Sequence, residues 1–208
     1  MDIQFFGANC VTLSYQGVRV VVDDNLADLG AKSITKNGDV ALFTGIHGEP
    51  KAETKLTIDS PGEFEVGSFS ITGIPAQAHI DDQSKLAATM YRIEAGDIKL
   101  LVTGHIYPKL SDNQLEAIGM TELVIIPVGG SGYTLDPVGA LDVIKSIEPK
   151  IVIPTHYGDK SLQYPVPQLS LEEALKGLAM EPAETLNKLK LKPGELSESL
   201  KLIVLEKS

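Results

Sequence analysis

Four histidines are the residues of this chain whose type and placement favour chemistry. They are His47, His79, His105 and His156, and each follows an apolar segment by a few residues. Imidazole is a common metal ligand and a common general acid or base near neutral pH. One histidine at a strand end is more often a loop residue bonded to backbone. All four in that position indicate that they share one region of the fold.

The elements that must position these histidines are short strands followed by alternating strands and helices. Apolar alternation and β-branched residues predict strands, and Ser or Asp caps with glycine stops predict helices. The predicted strands cover 3–6, 10–16, 18–24, 40–44, 55–59, 68–74, 87–104 as a hairpin, 121–128, 150–157 and 199–206. The predicted helices cover 111–119, 136–149 and 170–180. Residues 60–67 are predicted as a turn and 182–195 as a polar loop, so residues 1–208 form one α/β domain.

The composition excludes several classes of partner. The chain has 208 residues, a formal net charge of −10 and two arginines, so nucleic acid and anionic membrane surfaces are unexpected partners. Its one cysteine, Cys10, excludes a disulfide framework and a cysteine zinc module. No secretory signal and no stretch of ~20 apolar residues is found. We therefore expect a cytoplasmic protein that acts on a small molecule, and a homo-oligomer is left open.

Three other features have structural readings beside functional ones. Cys10 is expected to be a small buried core residue rather than a nucleophile. Asp23 and Asp24 are either solvated, or they orient a ligand residue without contacting the bound group themselves. Neither interpretation is favoured. Residues 129–132, Gly-Gly-Ser-Gly, are read as a tight turn that lets the chain approach a cleft, rather than as a phosphate-binding loop, because no helix with a lysine follows directly.

The order of several segments resembles the metallo-β-lactamase superfamily. The most specific segments are PGEFEVG, LSDNQLEAIG followed by IPVGG, and IVIPTHY, and the resemblance extends over about residues 1–205. The most similar branch is that of cytosolic metal-dependent hydrolases related to ascorbate-phosphate lactonase. The resemblance implies a four-layer αββα sandwich with a metal cleft along one edge of its two sheets.

The same resemblance implies a degenerate metal motif. The family pattern His-x-His-x-Asp-His falls on residues 45–50, where the second histidine is kept as His47 and the aspartate becomes Glu49. Gly45 and Pro50 stand at the other two histidine positions. The aspartate that bridges two metals in the family aligns with His105, and the last histidine is kept as His156.

These losses limit the metal content that the resemblance implies. A neutral imidazole has one acceptor nitrogen and cannot bridge two ions as a carboxylate does, so at most one ion is expected. The implied ligand set is His47, Glu49, His105 and His156, which suits zinc and also admits iron or manganese. Glu49 is alternatively the base for a bound water, and His79 is a further catalytic candidate near the cleft.

Three functions follow as hypotheses. The first is a hydrolase with one metal ion, whose activated water attacks an ester, a lactone or a phosphoester. The second is a non-catalytic descendant of the fold that has lost its metal and serves in binding or assembly. The third is a metal-free enzyme that uses His156 and Glu49 for acid–base chemistry in the same cleft.

Overall fold

The computed structural model describes residues 1–45, 49–80, 86–192, 194 and 199–208. Its elements in chain order are β1 (Asp2–Gly7), β2 (Cys10–Tyr15), β3 (Val18–Val22), a 3₁₀-helix (Leu26–Leu29), β4 (Val40–Leu42), β5 (Leu56–Ile58), β6 (Gly62–Val66), β7 (Phe69–Ala76), β8 (Ala88–Ala95), β9 (Ile98–Val102), α1 (Asp112–Ile118), β10 (Leu123–Pro127), α2 (Pro137–Ile147), β11 (Ile151–Thr155), α3 (Leu171–Leu178), β12 (Pro182–Leu186), β13 (Leu189–Lys190) and β14 (Lys201–Leu205).

The strands form two sheets, each part antiparallel and part parallel. Within the described ranges the first sheet has the order β13-β1-β2-β3-β4-β5, and the second has the order β12-β14-β11-β10-β9-β8-β7-β6. In the second sheet β9, β10 and β11 are parallel neighbours, and β9 runs antiparallel to β8. The carboxyl ends of β9, β10 and β11 therefore meet at one edge, where loops converge into a site.

The main core lies between the two sheets, and strand alternation explains it. In β10, Leu123 and Ile125 point into this core, whereas Val124 and Ile126 point to the opposite face. Successive side chains of a strand alternate between faces, so a strand that is apolar throughout must be covered on both sides. The three α-helices cover the outer face of the second sheet.

Local sequence determines where these helices begin. Ser111 and Ser170 each accept a hydrogen bond from a backbone N–H of the first helical turn and form capping boxes, and Asp136 caps α2 ahead of Pro137. The predicted mixed α/β fold with two sheets is confirmed. In the described part of the chain, the layer outside the first sheet is made of the 3₁₀-helix and the loops around Leu26. No helix among the described residues is long and apolar enough to cross a membrane.

Two predicted loops are strands, and both corrections have a physical cause. Residues 62–66 were expected in a turn because of the preceding Pro61, but buried Val66 and half-buried Phe64 alternate with exposed glutamates, as on a half-exposed strand. Residues 182–195 were expected in a loop, yet they contain β12 and β13. The residues of β12 are almost all exposed, so main-chain pairing with β14 stabilises it without an apolar pattern.

Candidate metal centre

Two of the four histidines meet at the carboxyl edge of the second sheet. His105 follows β9 and His156 directly follows β11. Their ring centroids are 4.5 Å apart and the ring planes are perpendicular. Parallel pairing of β9, β10 and β11 brings together two side chains that lie about fifty residues apart in the chain. The grouping expected from the sequence is thus present for this pair.

The backbone of His156 is held in an uncommon conformation. Its φ of 53° lies in the left-handed region, which few residues other than glycine adopt. Its N–H donates to the carbonyl of Ala8 at 2.7 Å, and its Nδ1 lies 3.2 Å from Oε1 of Gln168. A main-chain conformation that neighbouring segments must enforce is typical of functional positions.

Burial keeps both imidazoles neutral at neutral pH. It lowers the pKa of His156 from 6.5 to about 4, against a smaller raising effect of the Gln168 hydrogen bond. Burial also lowers the pKa of His105 well below its usual value, and the neighbouring His156 and His79 lower it further. A neutral imidazole has a lone pair available for a metal, whereas a protonated one does not.

His105 has a buried nitrogen for which the described residues supply no partner. Its Nδ1 is inaccessible to solvent and makes no hydrogen bond there. Tyrosine rings surround the pair: Tyr133 lies 5.1 Å from His105 and 5.9 Å from His156, and Tyr164 lies 5.1 Å from His156, between ring centroids. A buried polar atom without a partner is costly, so this nitrogen, unpartnered among the described residues, is a candidate metal ligand.

His79 lines a cavity beside this pair. The cavity has a volume of about 270 Å³, and its described wall includes Thr44, Gly45, Ala78, His79, Ile80, Ala87, Ala88, His105 and Tyr133. The N–H of His79 donates to the carbonyl of His105 at 2.8 Å, and its Nδ1 lies 3.3 Å from the carbonyl of Ile106. His79 is thus placed at the cavity, where the sequence suggested a catalytic candidate.

A buried aspartate organises the base of the site. Asp23 accepts hydrogen bonds from the N–H of Thr44 at 2.7 Å, from its hydroxyl at 2.6 Å and from Asn9 at 3.1 Å. Asn9 in turn accepts from the hydroxyl of Thr155 at 2.6 Å. Burial raises the pKa of Asp23, and these hydrogen bonds oppose the rise. Of the two readings of the acidic pair, the solvated one is wrong, because Asp23 and Asp24 are both buried.

The remaining predicted ligands are not brought to the pair in the described structure. His47 lies in residues 46–48, outside the described ranges. Glu49 is exposed and makes no hydrogen bond or ion pair with any described residue, so the structure does not join it to His156 for acid–base chemistry. Among the described residues no three His, Cys, Asp or Glu side chains form a metal-binding group. The four-residue ligand set therefore stays a prediction.

Three residues near the pair were missed at the sequence level. Tyr133 follows the Gly-Gly-Ser-Gly segment after β10. Because β10 lies between β9 and β11 in the sheet, the order of the strands predicts that the loop after β10 lies near His105 and His156. Gln168 and Tyr164 belong to an irregular segment between β11 and α3. No periodicity or motif marks that segment, and only tertiary packing brings its side chains to His156.

The pair has the donor chemistry of a metal site. The two imidazoles are direct neighbours, with ring centroids 4.5 Å apart, and imidazole nitrogen is a common zinc ligand. Both rings are neutral, and one buried nitrogen lacks a partner. A third protein donor would have to come from outside the described residues, and His47 follows the cavity-lining Gly45 by two positions.

The lowered pKa values of the two histidines predict that the protein becomes less stable as the pH falls. Below about pH 6.5 the unfolded state binds protons that buried His105 and His156 do not, and for His156 this difference persists down to about pH 4, so stability is lost as pH falls. We expect a slope of up to roughly 1.4 kcal/mol per pH unit for each histidine. Urea unfolding of metal-free protein at pH 7.5, 6.5, 5.5 and 4.5 measures it.

The matched control for this slope is His156→Asn, because asparagine tolerates a positive φ and does not titrate. The variant should lose about half of the slope, since it keeps His105. Asp23 titrates in both proteins, so its contribution cancels in the difference. Equal slopes in the two proteins would show that His156 is not held neutral by the fold.

Comparison with known proteins identifies relatives over the whole chain. Residues 2–156 match the β-lactamase superfamily domain. A protein of Thermococcus onnurineus named as a metal-dependent hydrolase is 30% identical over 142 residues, which are 66% of this chain and 58% of that protein. One of Thermus thermophilus, also so named, is 21% identical over 224 residues and is matched over 89% of this chain and 98% of its own.

A solved structure extends the comparison to the fold. The crystal structure from Thermotoga maritima, described as that of a Zn-dependent hydrolase of the metallo-β-lactamase superfamily, has a TM-score of 0.76 at 25% identity. The alignment covers 99% of this chain and 98% of that one. The two sheets and the helical layer described above are therefore shared along the full length. The match to the Thermococcus protein, by contrast, spans less than two thirds of that relative.

Proposed function

The chain belongs to the β-lactamase superfamily, and from this premise we propose that it is a metal-dependent hydrolase whose single ion is held by His105 and His156. The relatives named as metal-dependent hydrolases support a metal cofactor in general. The observation that carries the proposal is the partnerless buried Nδ1 of His105 beside a second neutral imidazole. Zinc suits such nitrogen donors, and iron and manganese remain candidates.

Residues of this chain are proposed for two roles in hydrolysis, holding the ion and accepting a proton. A bound divalent ion supplies Lewis-acid polarisation of water. His105 and His156 would hold the ion, and His47 is proposed as the third donor. Glu49, whose exposed carboxylate is free of partners in the described structure, and His79, which lines the cavity, are the candidates for accepting a proton from that water.

The cavity favours an uncharged ester or lactone over a phosphoester. Its described wall carries alanines and Ile80 but no lysine or arginine, and a volume near 270 Å³ suits a small molecule. Both arginines are engaged elsewhere, Arg19 with Asp39 at 2.6 Å and Arg92 with Glu94. A phosphoester needs clustered cations to offset its charge, and the described wall contributes no lysine or arginine.

Metal loading with a parallel hydrolysis assay tests the proposal. We expect about one equivalent of Zn²⁺, Mn²⁺ or Fe²⁺ per chain, measured by elemental analysis after loading. We expect the loaded protein to hydrolyse p-nitrophenyl acetate or γ-butyrolactone faster than p-nitrophenyl phosphate, and chelation to abolish this. Less than about one-tenth of an equivalent of any metal would contradict the proposal and favour the non-catalytic alternative.

Gly45→His offers a gain-of-function test. Gly45 stands where the resemblance places the family's first histidine, and a Cβ built there meets no atom of the described residues within 4 Å. The variant should bind Zn²⁺ roughly 10–100-fold more tightly, since four-ligand zinc sites bind with about 10–16 kcal/mol in total. Competition with a chromogenic chelator measures the affinity, with Gly45→Gln as the control of similar size. Unchanged affinity would place the ion elsewhere.

A further inference from the structure

The side chain of Gln168 is held at both ends of its amide. Its Nε2 donates to the carbonyl of Val166 at 3.0 Å, and its Oε1 lies 3.2 Å from Nδ1 of His156. The reverse amide orientation would set two oxygens against each other at Val166. The atom that faces the imidazole is therefore an acceptor, so Nδ1 of His156 must carry the proton.

Backbone contacts lock this glutamine against the edge of the second sheet. The N–H of Leu169 donates to the carbonyl of Gly129 at 2.9 Å, and the N–H of Gly158 donates to the carbonyl of Leu169 at 2.7 Å. A Cβ at Gly129 would overlap the carbonyl of His156 and Oε1 of Gln168. The turn after β10 thus approaches His156 and the amide of Gln168 so closely that only a glycine fits at position 129.

We infer that Gln168 is a positioning residue that fixes the tautomer and ring orientation of His156, leaving Nε2 as its metal-binding nitrogen. With Nδ1 protonated toward Gln168, Nε2 is the nitrogen with a free lone pair. Histidine ligands commonly donate their other ring N–H to a fixed acceptor, and losing that acceptor costs 10–100-fold in metal affinity. The role in binding rests on the proposed function, whereas the choice of tautomer does not.

The variants separate a positioning role from a packing role. Gln168→Leu keeps most of the volume and removes the acceptor, so His156 should populate both tautomers. Gln168→Glu loses the bond to the carbonyl of Val166 but keeps an acceptor oxygen and adds a charge that attracts the Nδ1 proton, so it should keep the tautomer. Gln163→Leu, in the same segment at an exposed position, is the matched control. Circular dichroism and thermal unfolding verify that each variant folds.

The experiment measures tautomer and affinity separately. Long-range ¹H–¹⁵N spectra of the metal-free protein at pH 7.5 should show a protonated Nδ1 on His156 in the wild type and in Gln168→Glu, and a mixture in Gln168→Leu. Cobalt titration followed by visible absorption should give a Kd roughly 10–100-fold higher for Gln168→Leu, with Gln168→Glu at or below the wild-type Kd.

Three results would overturn parts of the inference, and a fourth would contradict the proposed function. A wild-type His156 protonated at Nε2 would overturn the tautomer assignment. A Gln168→Leu variant that keeps the wild-type tautomer, or a Kd within twofold of the wild type, would overturn the positioning role. A wild-type protein that shows the Nδ1–H tautomer but takes up no cobalt contradicts the metal-dependent function and supports the tautomer assignment.

Discussion

Replacing His156 with asparagine should lower the affinity for Zn²⁺ by roughly 100-fold and abolish metal-dependent ester hydrolysis. The expectation follows because a four-ligand zinc site binds with about 10–16 kcal/mol, so each ligand contributes about 3 kcal/mol. Asparagine tolerates the φ of 53°, so the backbone at the end of β11 should be kept. Isothermal titration of metal-free protein measures the affinity.

The control for this loss is His79→Gln. His79 lines the same cavity, but its Nδ1 faces the carbonyl of Ile106, and we place it at the proton transfer rather than on the ion. The variant should keep the wild-type Zn²⁺ affinity and lower only the hydrolysis rate. Equal losses of affinity in His79→Gln and His156→Asn would show that the ligand assignment is wrong.

Gly129→Ala should lower the free energy of unfolding by about 3 kcal/mol or more. Its Cβ would overlap the carbonyl oxygen of His156, which is backbone and cannot swing aside, and the amide oxygen of Gln168. The turn after β10 would have to move away from β11, breaking the bond between Gly129 and Leu169. Urea unfolding at pH 7.5 in the presence of a chelator measures the change without a contribution from metal binding.

The matched control is Gly45→Ala. Neither glycine has a positive φ, and a Cβ at Gly45 meets open space. The control should therefore change the free energy of unfolding by less than about 0.5 kcal/mol. A Gly129→Ala protein as stable as Gly45→Ala would mean that the close approach of the turn to His156 is not enforced in solution.

The strands and helices that carry the site could be predicted from local sequence. The buried strand Leu123–Pro127 is apolar throughout and Ile151–Thr155 is apolar except for Thr155, and Ser111 and Ser170 show their capping role in sequence. β12 could not be predicted, because exposed residues at a sheet edge leave no apolar pattern. Its position depends on main-chain pairing with β14, which no local signal encodes.

The site was predictable where it depends on strand ends and not where it depends on loop packing. His105 and His156 were found because each lies within three residues of the end of a buried parallel strand. Gln168 and Tyr164 were not, because an irregular segment brings them to His156 through contacts distant in sequence. Glu49 was named from the resemblance, and because it is exposed and not joined to the pair in the described structure, its role stays a prediction.

The most direct test is a crystal structure of the zinc-loaded protein with anomalous data at the zinc edge. The account predicts one anomalous peak per chain, with a nitrogen of His105 and Nε2 of His156 each at ~2.1 Å from it. It also predicts that Gln168 still accepts from Nδ1 of His156. Two peaks, a peak bound by neither histidine, or no peak at full zinc loading would contradict the account.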